Sequence, residues 1–324
     1  MMNTRRLLSA SDRTPSASAG PSPAGRKRQG RSVALPVLFK TKALSLAVMS
    51  TLSWGAGGCV VVGGIGFGGC GPTKWQESTE SLTINAAGVN ELQIRSHNGE
   101  VVYAGDQDSP EIKVTAVKKG GGRSEEQAAE ALEAIEVFVE PAGDGVQKLG
   151  WRWKGDKRLN WSAQVNFEIA GPAGVALDIE THNGRVNVSG ADASAHIVTH
   201  NGRIGAEVGG DTLYARTHNG AISATFAGKS ATLLTHNGGI DAALAAVGSV
   251  GGKIETHNGS VEVEFGPQAG SKVLCQTHNG RIKSELPGAG KPASRRLETV
   301  VGEGGDPLTV STHNGAIRLR PIDG

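Results

Sequence analysis

From about Val175 to the C terminus, apolar residues fall on every second position in short runs, and each pair of runs brackets the same four residues. In "ALDIETHNGRVNV" the apolar positions are Leu177, Ile179, Val186 and Val188, and Asp178, Glu180, Arg185 and Asn187 alternate with them. A period of two marks half-buried strands. The same slots hold Ala195, Ile197, Ile204 and Ala206, then Leu213, Ala215, Ile222 and Ala224, then Ala231, Leu233, Ile240 and Ala242. Later units supply Ile254, Val261 and Val263; Val273, Cys275 and Ile282; and Leu308, Val310, Ile317 and Leu319. Two short strands cannot bury an apolar face alone, so the pattern predicts units that stack on one another.

The bracketed residues are Thr-His-Asn-Gly, starting at Thr181, Thr199, Thr217, Thr235, Thr256, Thr277 and Thr312, with Ser96-His97-Asn98-Gly99 far upstream. His182, His200, His218 and His236 are 18 residues apart, His236, His257 and His278 are 21 apart, and His313 follows after 35. Two all-β architectures fit these periods. In a parallel β-solenoid of 18–21-residue coils, neighbouring units lie about 4.8 Å apart. In an antiparallel β-meander, each Asn-Gly is the turn of a hairpin. The side chains are the same at every corner, which favours the solenoid, because stacking turns them into ladders of like residues.

Upstream, "SLTINA" (81–86), "ELQIRS" (91–96), "EVVYAG" (100–105) and "EIKVTAV" (111–117) also alternate and predict strands. Ser124 as N-cap, acids in the first turn, and Ala128, Leu132 and Ile135 at helical spacing predict one short helix near 124–134. Strands resume in "IEVFVE", "VQKLGWRW" and "WSAQVNFEIAG". The chain therefore divides into a basic low-complexity segment with an export signal (1–58), a Gly-rich tether (59–75), a β-rich part with the helix (76–174) and the repeat solenoid (175–324).

Charge sharpens this division. Nine Lys or Arg stand in residues 1–42 against one acid, Asp12, which leaves 24 basic and 30 acidic residues in the remainder. A basic body suited to nucleic acid is absent. The uncharged "ALSLAVMSTLSWGAGGC" that follows reads as a signal-peptide core ending in small residues and Cys59. Cys59 is the candidate lipidation site, with Cys70 as its competitor. A retained transmembrane helix and a plain secretion signal are the other readings. Each places the folded part outside the cytoplasm, and the lipid reading makes the membrane a partner. Only three cysteines occur, so no disulfide framework is available.

At this point the residues carry a resemblance. "VNFEIAGPAGVALDIETHNGRVNVSG" resembles the hallmark of a bacterial family named putative adhesins, in which a strand, a turn and a strand lead into Thr-x-Asn-Gly-x-Ile coils. The likeness spans about residues 80–322 and includes the helix and the closing "GEGGDPLTVSTHNGAIRLRP". It implies a right-handed parallel β-solenoid on an exported or membrane-attached protein, with no established enzymatic activity; the partner, an envelope, surface or carbohydrate ligand, is not identified by the sequence.

Chemistry then narrows to the corner. Asn183-Gly184, Asn201-Gly202, Asn219-Gly220, Asn237-Gly238, Asn258-Gly259, Asn279-Gly280 and Asn314-Gly315 are expected as structural corners, in which Gly takes a positive φ and Asn tolerates one. Threonine is expected to bond locally or along a ladder. Histidine has no such reason to be there. His97, His182, His200, His218, His236, His257, His278 and His313 form the candidate binding or pH-sensing row, and of the nine histidines only His196 lies elsewhere. Adjacent imidazoles could capture Zn²⁺ or Cu²⁺, although no cysteine or acid at a constant offset completes a ligand set. Protonation of a close row near the ordinary pKa of about 6.5 predicts lower stability towards pH 5. A polysaccharide-acting enzyme would need a unique pair of acids and bases, whereas Asp178, Glu180, Glu255, Glu262 and Glu264 read as a solvated face. Trp151, Trp153 and Trp161 read as a cap on the solenoid end or as packing against the helix, with a carbohydrate-stacking patch as the alternative. No cofactor is expected.

Overall fold

Each alternating segment of the repeat forms a strand, and each strand pairs in parallel with its equivalent in the next unit. Ile197 stands beside Ile179 on one side and Ala215 on the other. Ile204 likewise stands between Val186 and Ile222. These relationships come from a computed structural model, which describes residues 72–288 and 295–322. The two strands that flank each Asn-Gly enter different sheets rather than pairing with each other, so the structure is a parallel β-solenoid and not a meander of hairpins. The expected signal segment, Cys59 and Cys70 lie outside the described residues.

Nine coils stack. In chain order, coil 1 comprises Glu91–Arg95 and Val101–Asp106, coil 2 Val146–Trp153 and Ser162–Pro172, and coil 3 Ala176–Glu180 and Val186–Ala191. Coil 4 comprises Ala195–Val198 and Ile204–Val208, coil 5 Thr212–Arg216 and Ile222–Phe226, and coil 6 Ser230–Asn237 and Ile240–Leu244. Coil 7 comprises Gly251–Asn258 and Val261–Phe265, coil 8 Ala269–Asn279 and Ile282–Ser284, and coil 9 Pro307–Asn314 and Ile317–Pro321.

Their spatial order is 2-1-3-4-5-6-7-9-8 in both sheets. The first and last coils of the chain are therefore each second from an end. Coil 9 enters as a wedge: Gly248–Ser249 still pairs with Ala269 and Gly270, and from Pro307 onward the last coil separates coils 7 and 8. Asp306 sits at the fork. Its N–H donates to Ser249 Oγ at 2.7 Å, its carboxylate accepts from the same hydroxyl at 2.7 Å, and its carbonyl accepts from Ser271 Oγ at 3.1 Å.

Between the sheets, the apolar slots read from the sequence are buried. Ile179, Ile197, Leu213, Leu233, Ile254 and Val310 are fully inaccessible on one side, and Val186, Ile222, Ile240 and Ile317 on the other. Each such side chain contributes roughly 1.5–3 kcal/mol relative to an exposed position. An open stack would expose sheet edges to association, and antiparallel strands cover three of the four outer coil edges, Ile282–Ser284 of coil 8 being the last strand of its sheet. Lys74–Asn85 and Glu111–Gly122 lie beyond coil 2 in one sheet, and Ile135–Gly143 lies beyond it in the other. At the far end Arg296–Val301 runs antiparallel to coil 8.

The one helix among the described residues, Glu125–Glu133, starts where Ser124 accepts the Gln127 N–H, and it buries Ala128 and Ala131. It lies so close to Gly120 and Gly122 that a β-carbon there would meet Leu132 N at 2.3 Å and Ala128 N at 2.6 Å. Trp151 and Trp153 pack against the core, Trp161 is buried, and the three rings contact one another within coil 2.

Candidate functional site

Stacking in register converts the four-residue corner into four parallel ladders, each with its own chemistry. The threonine hydroxyls point inward, and each except that of Thr181 donates to the carbonyl of a corner glycine in a neighbouring coil: Thr217 to Gly202 at 2.9 Å, Thr235 to Gly220 at 2.8 Å, Thr256 to Gly238 at 2.8 Å. The wedge order is kept, since Thr312 of coil 9 reaches Gly259 of coil 7, and Thr277 of coil 8 reaches Gly315 of coil 9.

The expectation that these glycines adopt positive φ is corrected. Among the eight corners only Gly99 does, with φ 137°. The other seven are required for close approach instead. A β-carbon on Gly220 would stand 1.9 Å from the carbonyl oxygen of Gly202, and one on Gly184, Gly238 or Gly315 would meet the same obstacle at 1.8–2.0 Å. Only a residue without a side chain lets backbones stack this closely while the carbonyl stays within reach of threonine.

Asparagine forms the next ladder. Asn201 donates its side-chain amide to Asn183 Oδ1 at 2.8 Å, Asn219 to Asn201 at 2.7 Å and Asn237 to Asn219 at 2.8 Å, and the chain runs on through Asn258, Asn314 and Asn279. At the other end Asn183 donates to Asn98, which donates to the Ala163 carbonyl. The backbone is equally engaged: the Asn219 N–H reaches the His200 carbonyl and the Gly220 N–H reaches the Asn237 carbonyl.

The eight histidines stand outside these ladders, exposed and in register. Successive ring centroids from His97 through His182, His200, His218, His236, His257 and His313 to His278 are 4.6–5.1 Å apart, with planes within 7° of parallel. No hydrogen bond inside the described protein reaches a ring nitrogen of any of them; His196 alone among the histidines has one, to Asp178 Oδ1 at 2.9 Å. Since the rings face each other, their edges, which carry the nitrogens, face solvent. Lost solvation, followed by the charges of His236, His200 and Arg216, holds His218 below the ordinary imidazole pKa.

Two shallow grooves run beside the row. One, of about 420 Å³, is bounded by Arg95, Glu180, His182, His200, Arg216 and His218. The other, of about 530 Å³, is bounded by Glu255, His257, His278, Arg295, Arg296 and His313. The arginines went unnoticed in the sequence. Arg216 occupies the slot just before threonine and was legible there, whereas Arg295 and Arg296 arrive from outside the repeat.

The geometry bears directly on metal binding. Imidazole lone pairs lie in the ring plane, so in a parallel stack they point side by side and do not converge on one ion at the roughly 2.0–2.1 Å that Zn–N bonds require. A different group, Asp178, Glu180 and His196, brings its ligand atoms within 4.8 Å of one another. A guanidinium already holds that charge: Arg95 pairs with Asp178, and with Glu180 at 3.4 Å. Burial tends to raise the Asp178 pKa, but the hydrogen bonds from Arg95 and His196 outweigh it and hold the carboxyl below its usual range. The other three acids of the expected solvated face are paired too, Glu255 with Lys253 at 2.5 Å, and Glu262 and Glu264 with Arg320. Cys275 is buried in a core slot, and burial pushes its thiol up to about 12.

No protein-family model and no curated protein sequence matches this chain. Among solved structures it is similar to a "putative cell adhesion protein" from Clostridium sporogenes ATCC 15579, at 11% identity over 76% of this chain and 100% of that one, with a TM-score of 0.36. It is also similar to a "putative adhesin" from Bacteroides fragilis NCTC 9343, at 13% identity over 78% and 100% of the two chains (TM-score 0.40), and to one from Parabacteroides distasonis ATCC 8503, at 12% over 76% and 97% (TM-score 0.39).

Proposed function

We propose that the protein is an exported, non-catalytic binding module of the cell envelope, and that the histidine edge of the solenoid is its contact surface. One observation carries the reading. Asn and Gly at each corner, and every corner threonine but Thr181, are engaged with the adjacent coils, whereas the imidazole nitrogens are engaged with nothing in the described protein. Polar groups held in a rigid exposed row are suited to meeting a partner, because their side chains are already ordered before contact.

Anchoring through a lipid on Cys59 completes the proposal. No helix among the described residues is long and apolar enough to cross a membrane. Metabolic labelling with a fatty acid, followed by fractionation, tests the anchor: a Cys59→Ala variant should lose label and membrane association, and retention of both contradicts it. The contact surface is tested by changing His200, His218, His236 and His257 together to Asn and measuring adherence of cells that display the protein. Adherence should fall with export unchanged, and unchanged adherence contradicts the reading.

A pH-responsive surface is the second reading, favoured by the depressed pKa of His218. It is compatible with the first, since protonation changes what the row can bind.

A further inference from the structure

We propose that the histidine row is a track for a linear acidic polysaccharide lying along the coil axis, with its carboxylates against the imidazole edges and the flanking arginines. The inference rests on the row being a contact surface and adds the class of ligand.

The spacing supports a polymer. Seven successive ring steps of 4.6–5.1 Å present the same donor and acceptor at each step, which is comparable to the advance of one pyranose along an extended glycan. A small ligand would use one or two steps and gain nothing from the rest. The grooves are shallow and run beside the row, so a chain can lie in them along its length.

Ring orientation selects the functional groups. Stacking covers the imidazole faces, so the row offers N–H and N edges, which bond hydroxyls and carboxylates. Nucleobases need uncovered aromatic faces to stack on, and here neighbouring rings occupy them.

Charge selects acidic sugars over neutral ones. Along the strand side of the row, Glu180 is held by Arg95 and Glu255 by Lys253. Arg216 in the first groove and Arg295 in the second pair with no carboxylate among the described residues, and Arg296 pairs with Glu298. On the turn side, Arg185 approaches Glu100 at 3.9 Å, and Arg203 and Arg281 lack a carboxylate partner among the described residues. The acids facing the row are thus neutralised by cations, and arginines remain in excess. Each imidazole that takes up a proton becomes a second donor and adds charge to the same track. Beyond residue 42 the chain carries more acids than bases, so net charge alone does not draw a polyanion to it and the local arrangement at the row must.

The test is equilibrium binding of polygalacturonate to the full chain at pH 7.5 and pH 5.5, beside neutral dextran and polyphosphate. Polygalacturonate should bind about tenfold more tightly at pH 5.5 and weaken with salt. Arg216→Gln with Arg295→Gln should weaken it at both pH values without touching the stack, and His200→Asn with His218→Asn should reduce the pH dependence. Absent binding, binding indifferent to both pairs of changes, or equal binding of polyphosphate would overturn the proposal. Dextran binding that is lost in the histidine variant would overturn the acidic class and keep the contact surface; dextran binding that survives in it would sink both.

Discussion

The carbonyl oxygen of Gly202 stands 1.9 Å from where a β-carbon of Gly220 would be, one coil away. Glycine here is a spacing requirement. Alanine at 220 cannot be accommodated by a side-chain rotation, because both obstructing groups are backbone, so the coils must separate. Overpacking costs typically 1–3 kcal/mol and occasionally more, and roughly 3 kcal/mol or more is expected here by denaturant titration. Gly174 has open space at its β-carbon and no positive φ, so Gly174→Ala should be neutral or slightly stabilising.

Threonine gives an internal comparison. Thr217 donates to Gly202, whereas the equally buried Thr181 has no hydrogen-bond partner for its hydroxyl. Thr217→Val leaves a buried carbonyl without its hydroxyl donor and should cost about 1–3 kcal/mol. Thr181→Val removes an unpaired hydroxyl instead and should be neutral or stabilising. Equal losses in the two variants would show that the ladder bond contributes nothing.

Stability should fall with acid. The His218 pKa is depressed in the folded state, so below the unfolded value of about 6.5 the unfolded chain binds more protons and stability declines as pH drops towards the folded value. Above pH 7 both states are neutral at this site and the effect vanishes. The melting temperature should therefore decrease from pH 7.5 to pH 5, by less in His218→Asn. A flat profile contradicts this.

Coil 9 should be the last to form, because coils 7 and 8 must first frame its slot. Removing residues 307–324 leaves facing strand edges unpaired in both sheets, and such edges associate. Light scattering should show aggregation of the truncated chain. Asp306→Ala, which removes only the carboxylate contact with Ser249 at the fork, should destabilise by about 1 kcal/mol and leave the protein monomeric.

The sequence carried the coil and its facing directly. Alternation fixed Leu177, Ile179, Val186 and Val188 as inward residues, and the constant corner favoured parallel stacking, because period and identity are local properties of the chain. Coil order was not legible. Thr277 and Thr312 follow one another in the chain, yet coil 9 lies inside coil 8, since equivalent units offer equivalent edges and only the caps and the fork at Asp306 decide which are adjacent. The role of glycine was misread for a related reason. Asn-Gly signals a turn with positive φ, and nothing in one unit shows that another unit's carbonyl lies where the β-carbon would be. The grooves were half legible: Arg216 sits in a repeat slot, whereas Arg295 and Arg296 reach the row from the covering strand.

The central claim is a division of labour within one corner, with glycine holding the coils and histidine facing outward. Urea titration of His218→Asn and Gly220→Ala at pH 7.5 tests it most directly. His218→Asn should lose less than about 1 kcal/mol, because the ring adds only stacking at an exposed position, while Gly220→Ala should lose roughly 3 kcal/mol or more. Equal losses, or a larger loss in the histidine variant, would show that the imidazole row holds the fold together and is not reserved for a partner.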